Sequence, residues 1–266
     1  MTRRRWIADT STPTTATLTG DQAIHLARVL RAEPGQIFDI VANGFLHRAE
    51  IITATEDRVD FTLHEQLESD AALPLHLLLA IFKFDHMEWA IEKATELGIS
   101  RITPILARRT EKHLAQSALK RAERWRRIAL ESAKQSRRTD IPEIADPAHL
   151  KQALEQEKAP TRILLSEIEQ SQTLTAALEN SQPVTNDRVP HPSQSHRDGW
   201  DVESQSSDPT QTITHALAVG PEGGWTPEEI TLFLQHNWQP VTLGPRILRA
   251  ETAAIAAIAI ASTHLS

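Results

Sequence analysis

Two short stretches near the C-terminus decide the fold: Gly220-Pro221-Glu222-Gly223-Gly224-Trp225 and Leu243-Gly244-Pro245-Arg246-Ile247-Leu248-Arg249-Ala250-Glu251-Thr252. Each stretch follows an apolar run typical of a strand and leads into a helical pattern. Because ligands of open α/β sheets bind at the carboxyl ends of the strands, two such turns side by side can form a pocket for a small ligand. Their glycines let the backbone itself approach that ligand.

The first turn is followed by Thr226-Pro227-Glu228-Glu229, which has the pattern of a helix start with Thr226 as N-cap and Glu229 closing a capping box. A helix N-terminus favours anions. However, the turn lacks the Lys-Ser/Thr ending of a P-loop and the GxGxxG spacing of a dinucleotide site, and Glu222 would repel a phosphate. The turn therefore suits a ligand with hydroxyls, a purine or a positive centre; a purely structural turn is an equal alternative.

The second turn carries two arginines and a glutamate. Arg246 and Arg249 are separated by two aliphatic residues, so the arginines and the aliphatics face different ways. Glu251 falls in the first turn of the next helix, where the helix dipole stabilises its charge. Residues 252–261 are almost all alanine and isoleucine, which predicts close packing within the fold or across a dimer interface.

Upstream, from residue 73, apolar runs of strand length alternate with helical patterns. We expect strands at 75–82, 101–106, 161–165, 215–219 and 240–243, and helices at 85–97, 117–135, 226–236 and 250–264. This alternation predicts an α/β domain, residues 73–266, with a parallel sheet covered by helices on both faces. Residues 181–211 are rich in polar residues and poor in aliphatics, and are expected to be a disordered loop inserted in that domain.

Residues 1–72 are expected to form a small β-rich domain. Strands at 37–41, 47–52 and 58–63 are separated by turns, of which Asn43-Gly44 is a strong hairpin signal. One helix is expected at about 21–30, with Asp21 as its N-cap. The strand spacing is typical of a barrel.

The composition restricts the class of protein. The chain has 266 residues and no cysteine, which excludes disulfides and thiolate metal sites and fits a reducing cytosol. No apolar run is long enough for a signal peptide or a membrane span, so we expect a cytoplasmic protein. The net charge is −7, but residues 101–140 hold 12 Lys and Arg against 4 Asp and Glu. Such segregation is typical of a polyanion-binding face, although a solvated basic helix is the simpler alternative.

The chain resembles the RsmE family, ribosomal RNA small-subunit methyltransferase E, within the SPOUT superfamily. The matching residues are 220–224, 243–253, Lys93-Ala94-Thr95-Glu96-Leu97-Gly98 with Pro104, His25-Leu26-Ala27-Arg28-Val29-Leu30-Arg31 with Pro34-Gly35, and Gln135-Ser136 with Arg138 and Pro142. The chain departs from the family pattern where Lys134 replaces a common acidic residue and where Arg137 occupies a position often held by glycine, and both changes add positive charge. It also has a shorter hairpin at Asn43-Gly44 and a larger insertion at 181–211.

The resemblance implies a SPOUT-type parallel sheet with a C-terminal trefoil knot, preceded by a PUA-like β-barrel that helps bind RNA. It implies S-adenosylmethionine as cofactor, a homodimer, no metal ion, and N3-methyluridine in 16S rRNA of the small subunit as product. The residues that would hold the cofactor are Leu165, Gly220, Pro221, Glu222, Gly223, Gly224, Leu243, Gly244, Ile247, Leu248, Arg249, Ala250 and Thr252.

For catalysis, N3 of uridine must lose its imide proton, and the negative charge that develops must be stabilised. We expect Arg249 to stabilise that charge on O2 or O4, with Glu251 orienting Arg249. The proton acceptor stays open among Glu251, Glu222 and His25. A helix-start carboxylate that merely pairs with Arg246 or Arg249 is an equal interpretation of Glu251.

The expected RNA contacts are mostly arginines that bind phosphates without distinguishing sequence. They are Arg3, Arg4, Arg28, Arg31, Arg109, Arg137 and Arg138, together with His25, although a lone histidine on a helix is more often structural. Two other hypotheses remain: a non-catalytic RNA-binding or ribosome-assembly factor, and a methyltransferase with a different RNA target.

Overall fold

The computed structural model describes residues 5–67, 71–169, 171–181 and 212–265. Arg3, Arg4 and nearly all of the expected loop at 181–211 lie outside these residues. The described residues form two sheets: an N-terminal one of mainly antiparallel strands and a C-terminal parallel one.

The N-terminal sheet contains six strands with a short helix between the third and the fourth. The strands are β1 (Arg5–Ile7), β2 (Thr10–Ser11), β3 (Thr15–Thr19), β4 (Ile37–Ala42), β5 (Phe45–Ala54) and β6 (Arg58–Leu67). Their order is β1-β4-β5-β6-β3-β2. The hairpin predicted at Asn43-Gly44 joins β4 to β5, and both turn residues have positive φ, 55° and 82°.

The N-terminal segment closes this sheet. β1 pairs in parallel with β4, whereas β2 pairs with β3. Between them, Ala8 N donates to Val41 O and Asp9 N donates to Thr17 O, each at 2.9 Å. The segment thus joins the two edges of the sheet, as the barrel-like strand spacing predicts, around a core that includes Leu18, Ile40, Ala49, Val59 and Phe61.

The helix expected at 21–30 is present in two parts. Helix α1 spans Gly20–Ile24 and continues into a π-helix, His25–Val29. The N-cap is Thr19, so the prediction of Asp21 as N-cap was wrong. Asp21 lies inside the first turn, where its negative charge interacts favourably with the helix dipole.

The C-terminal sheet has seven parallel strands flanked by helices. Its strands are β7 (Leu73–Ala80), β8 (Ile99–Leu106), β9 (Glu143–Ile144), β10 (Ala148–His149), β11 (Thr161–Leu165), β12 (His215–Val219) and β13 (Gln239–Val241). The order is β10-β8-β7-β12-β11-β13, with β9 beside β8. The helices are α2 (Phe84–Glu96), α3 (Lys112–Ser136), α4 (Leu150–Gln156), α5 (Leu174–Asn180), α6 (Pro227–Gln235) and α7 (Ala250–Leu265).

The predicted α/β alternation is confirmed. α3 begins five residues before the expected start, and the short elements β9, β10, α4 and α5 were not predicted. The helices form two layers, because alternate residues of a strand such as β7 face opposite sides. Leu75, Leu77 and Leu79 pack with α2, α3, α5 and α7, whereas Leu78 and Ala80 pack with α4 and α6. Among the described residues, no helix is long and apolar enough to cross a membrane.

The chain after β13 turns back toward the middle of the fold. β13 is the last strand at one edge of the sheet, yet α7 packs against α2, α5 and β7. Thr242 N donates to Gln172 O at 2.8 Å, and Leu174 N donates to Thr242 O at 3.0 Å. The segment after β13 therefore runs directly beside the segment that joins β11 to α5.

Candidate functional site

A pocket of about 820 Å³ lies at the carboxyl ends of β11, β12 and β13. The glycine turns at 220–225 and 243–252 form two of its walls, as expected for turns that follow neighbouring parallel strands. The predicted cofactor residues that line it are Leu165, Gly220, Pro221, Glu222, Gly223, Gly224, Leu243, Gly244, Ile247, Leu248, Arg249 and Ala250. The structure thus brings together residues that lie up to 85 positions apart in sequence.

Thr252 is the exception. Its side chain is exposed on α7 and does not line the pocket, so the structure does not bring it together with the other predicted cofactor residues. Ala250 and Ala253, three residues apart, line the pocket instead, because residues at i and i+3 share a helix face.

The indole of Trp225 packs against the first turn. A Cβ on Gly220 would lie 3.1 Å from the indole nitrogen of Trp225, so a side chain at this position would force one of them to move. Gly224 has a φ of 69°, and its N–H donates to Pro221 O at 2.8 Å. Trp225 in turn packs edge-on against Phe233 of α6, with ring centroids 4.8 Å apart. The turn is therefore held by the buried core below it.

The predicted capping box of α6 is confirmed, and its glutamate also binds the segment after β8. Glu229 N donates to Thr226 Oγ1, and Thr226 N donates to Glu229 Oε2 at 2.9 Å. The other oxygen of the buried Glu229 carboxylate accepts a hydrogen bond from Arg108 N at 2.8 Å. One carboxylate thus connects the start of α6 to the segment after β8.

Arg109 belongs to the pocket wall. Its guanidinium donates to Gly223 O, and its side chain packs against that glycine, where a Cβ would come within 3.2 Å. The hydrogen bond ties the exposed Arg109 to the first turn, so this residue, which was expected to contact RNA phosphate, also shapes the pocket.

The segment after β11 is a third wall that sequence reasoning missed. It contributes Ser166, Glu167, Ile168, Glu169 and Thr173. The available signal was the position of these polar residues directly after a buried strand, at the same sheet edge as the two turns. Together with Glu222 and the arginines, they give the pocket charges of both signs.

The second turn is ordered by Thr242, whose hydroxyl oxygen accepts a hydrogen bond from Gly244 N at 3.1 Å. Gly244 has a φ of 118°, which favours glycine. Beyond it, Ile247 is 82% exposed on the pocket rim. Arg246 and Arg249 are also exposed, and neither forms an ion pair with another described residue.

Glu251 does not face Arg249. Its side chain is only 3% exposed, and Oε1 lies 3.4 Å from Nδ1 of His86 at the start of α2. Oε2 is buried without a hydrogen-bond partner in the described part of the chain. Neither the orienting role toward Arg249 nor the alternative pairing with Arg246 or Arg249 is present. Sequence reasoning missed His86, because the pair joins helices 165 residues apart.

Several basic residues expected at an RNA surface have structural partners. The Arg138 side chain is buried, donates to Thr95 O at 2.7 Å and Ile99 O at 2.9 Å, and pairs with Asp140. Its predicted role as a phosphate contact was therefore wrong. Arg28 is exposed and pairs with Glu56 at 2.5 Å. The basic helix α3 is partly neutralised in the same way, through Arg124 with Glu88 and Arg126 with Asp146.

Arg31 and Arg137 are exposed and have left-handed φ values of 50° and 61°. Arg137 is the C-cap of α3. A left-handed backbone at a helix C-terminus is the conformation that glycine adopts without strain. His25 starts the π-helix, and its ring lies 5.7 Å from that of Trp6.

Comparison with known proteins gives consistent matches to both parts of the chain. A family described as an RNA methyltransferase domain matches residues 69–262, and one described as an RNA methyltransferase PUA domain matches residues 18–63. The chain is 33% identical to the ribosomal RNA small subunit methyltransferase E of Synechocystis sp., over 92% of this chain and 72% of that protein.

Two solved structures are similar over nearly their whole length. The ribosomal RNA small subunit methyltransferase E of Neisseria gonorrhoeae, bound to S-adenosyl methionine, is 25% identical with a TM-score of 0.70 and covers 98% of each chain. A structure from Legionella pneumophila with the bound cofactor SAM is 26% identical with a TM-score of 0.69, covering 99% of this chain and 98% of that one.

The parallel-sheet domain with its glycine-lined pocket and the preceding PUA domain define an RNA methyltransferase. The family match spans the strands and turns that build the pocket. The chain belongs to the ribosomal RNA small subunit methyltransferase E family.

Proposed function

We propose that this chain transfers the methyl group of S-adenosylmethionine to N3 of one uridine in 16S ribosomal RNA, in the cytoplasm and within the small ribosomal subunit. The observation that carries the proposal is the pocket in which the two turns meet at the carboxyl ends of three strands. The two similar structures that contain this cofactor support the choice of ligand.

The pocket residues suit S-adenosylmethionine. A volume of about 820 Å³ lies in the range of pockets that enclose a ligand of this size. Leu165, Leu243 and Leu248 supply apolar surface for adenine, and Glu167 and Glu222 supply acceptors for hydroxyls and negative charge for a sulfonium. When bound, the cofactor supplies an activated methyl group, so the residues of the chain need to bind, orient and handle the proton.

On the RNA side, Arg249 stabilises the charge that develops on O2 or O4 as N3 loses its proton. The guanidinium is exposed on the pocket lining, and no described carboxylate neutralises it. A positive group at the developing charge lowers the barrier most in a site closed to water. Of Glu222, Glu251 and His25, Glu222 lines the pocket, and we assign it as the proton acceptor.

The proposal includes a trefoil knot in the C-terminal domain. Its support is the path of the chain after β13, which passes beside residues 172–174 and then places α7 against α2 and α5. A chain that returns under an earlier connection departs from the general rule that connections do not thread loops. The result is a second turn held between two segments, which keeps its backbone fixed around the cofactor.

The proposal also includes a homodimer formed through α7. Between Glu251 and His264 this helix carries no charged side chain. Ile255 and Ile260 are only partly buried within one chain. A second copy would cover these apolar residues.

The test is methyl transfer from radiolabelled S-adenosylmethionine to small subunits that lack the modification, followed by nucleoside analysis. Label in N3-methyluridine is the expected result. Label in another nucleoside would replace the target while keeping the reaction. Saturable cofactor binding without transfer to small subunits would point to a different RNA. If the protein neither binds S-adenosylmethionine nor transfers its methyl group, the enzymatic proposal is overturned in favour of an assembly factor.

A further inference from the structure

A second cleft, of about 340 Å³, lies between the N-terminal sheet and the end of α3. It is lined from one side by Arg5, Trp6, Gln22 and His25 and from the other by Glu131, Lys134, Gln135 and Arg137. The end of α3 is next to the start of β8, because Arg138 donates to Ile99 O. The cleft is therefore at the amino ends of the strands, opposite the cofactor pocket.

The cleft has an aromatic wall. The rings of Trp6 and His25 lie 5.7 Å apart at an angle of 42°. His25 is the first residue of a π-helix, a rare element that occurs frequently at functional sites. The indole nitrogen of Trp6 is buried and has no hydrogen-bond partner within the described ranges.

The cleft also has cationic groups available for a ligand. Arg5 and Arg137 form no ion pair with any residue that the structure describes, whereas Lys134 lies 3.6 Å from Asp9 and 3.9 Å from Glu131. Arg137 has a φ of 61°, a conformation that costs a non-glycine residue about 1 kcal/mol. Glycine would avoid this cost.

We propose that this cleft binds one unpaired nucleotide of the substrate RNA. Arg5 and Arg137 hold its phosphate, and the base lies on the imidazole of His25 beside Trp6. Glu131 and Gln135 can hydrogen-bond to the base edge. The proposal rests on the RNA methyltransferase function above, and adds an RNA-binding subsite remote from the methyl transfer.

Arg137→Gly is the informative variant, since it removes the guanidinium and also relieves the backbone conformation. The folded state should be at least as stable as the wild type. The dissociation constant for a mixed-sequence, single-stranded RNA oligonucleotide should rise about tenfold, whereas that for S-adenosylmethionine should not change. Arg127→Ala is the control: it removes the same charge from the exposed face of α3, ten residues away, outside the cleft. Equal losses in both variants would overturn the subsite in favour of general charge attraction.

The stacking role is tested with His25→Ala and His25→Phe. Loss of an aromatic platform should weaken oligonucleotide binding about tenfold, and phenylalanine should restore most of it. Failure of phenylalanine to restore binding, in a variant with wild-type melting temperature, would contradict stacking. Because the readout is RNA binding, the outcome does not depend on methyl transfer. If wild type binds the oligonucleotide through these residues but methylates no subunit, the proposed function fails and the subsite remains.

Discussion

Oε1 of Glu251 lies 3.4 Å from Nδ1 of His86, and this contact joins the first turn of α7 to the first turn of α2. α7 begins directly after the turn that lines the pocket, whereas α2 begins just after β7 in the middle of the sheet. The pair therefore connects the pocket to the centre of the domain. Glu251 is a positioning residue in this arrangement, since its carboxylate does not line the pocket.

Glu251→Gln should accordingly affect stability more than chemistry. The amide has the size of the carboxylate but carries no charge. It therefore loses the favourable interaction with the helix dipole and weakens the contact with His86. We expect a loss of about 1 kcal/mol in the free energy of unfolding, seen as a melting temperature lower by about 3 °C. The kcat for methyl transfer should stay within about threefold. A kcat reduced a hundredfold at an unchanged melting temperature would instead place Glu251 among the catalytic residues.

Arg249→Ala should show the opposite pattern. Because the side chain is exposed and forms no ion pair with the described residues, its removal should leave the melting temperature unchanged. If it stabilises the charge on uridine, kcat should fall about 100- to 1000-fold, and the dissociation constant for S-adenosylmethionine should change less than tenfold. Arg246→Ala is the comparison within the same turn. Full turnover by Arg249→Ala would refute the assignment.

Gly224→Ala should weaken cofactor binding specifically. Its φ of 69° is costly for alanine, so the turn must shift to accept the new side chain. Gly35→Ala introduces a similar cost at a φ of 87°, also without a close contact, but in the turn before β4 of the N-terminal domain. Both variants should lose about 1 kcal/mol of stability. Calorimetry should show a raised dissociation constant for S-adenosylmethionine in Gly224→Ala alone; an equal change in both would mean that the turn does not hold the cofactor.

The sequence predicts those parts of the fold whose signals are local. β11 and β12 are found at their predicted bounds, where each contains a short apolar stretch. The capping box of α6 is confirmed because Thr226 and Glu229 are three residues apart. The two glycine turns line one pocket because the parallel order of the strands places their ends together.

The remaining features depend on contacts that no local pattern encodes. Arg138 counts as one more positive charge in the sequence, but the fold surrounds it with the carbonyls of Thr95 and Ile99. His86 has no motif of its own and becomes relevant through Glu251. Arg137 is another example: the sequence shows a positive charge at the end of a predicted helix, and its positive φ appears only in the structure.

The buried pair of His76 and Glu157 should make the C-terminal sheet sensitive to acid. Nδ1 of His76 lies 2.5 Å from Glu157 Oε2, and its Nε2 lies 2.8 Å from the hydroxyl of Thr103. Burial raises the pKa of Glu157, but the hydrogen bond and charge of His76 and the N–H groups of Ala159 and Lys158 outweigh it, so the pKa lies below its ordinary value of 4.5.

A lowered pKa means that the ionised Glu157 stabilises the folded state above pH 4.5, and that this contribution is lost as the pH falls through the lowered pKa. Glu157→Gln should therefore cost roughly 1–3 kcal/mol near neutral pH, because it removes the buried carboxylate that contacts His76 and accepts from Ala159 N. The difference from wild type should shrink below about pH 4.5 as the wild-type carboxylate becomes protonated. Urea unfolding of both proteins from pH 7 to pH 3 measures this difference. If the difference in free energy of unfolding between the two proteins stays constant or increases in acid, the ionised carboxylate does not stabilise the fold.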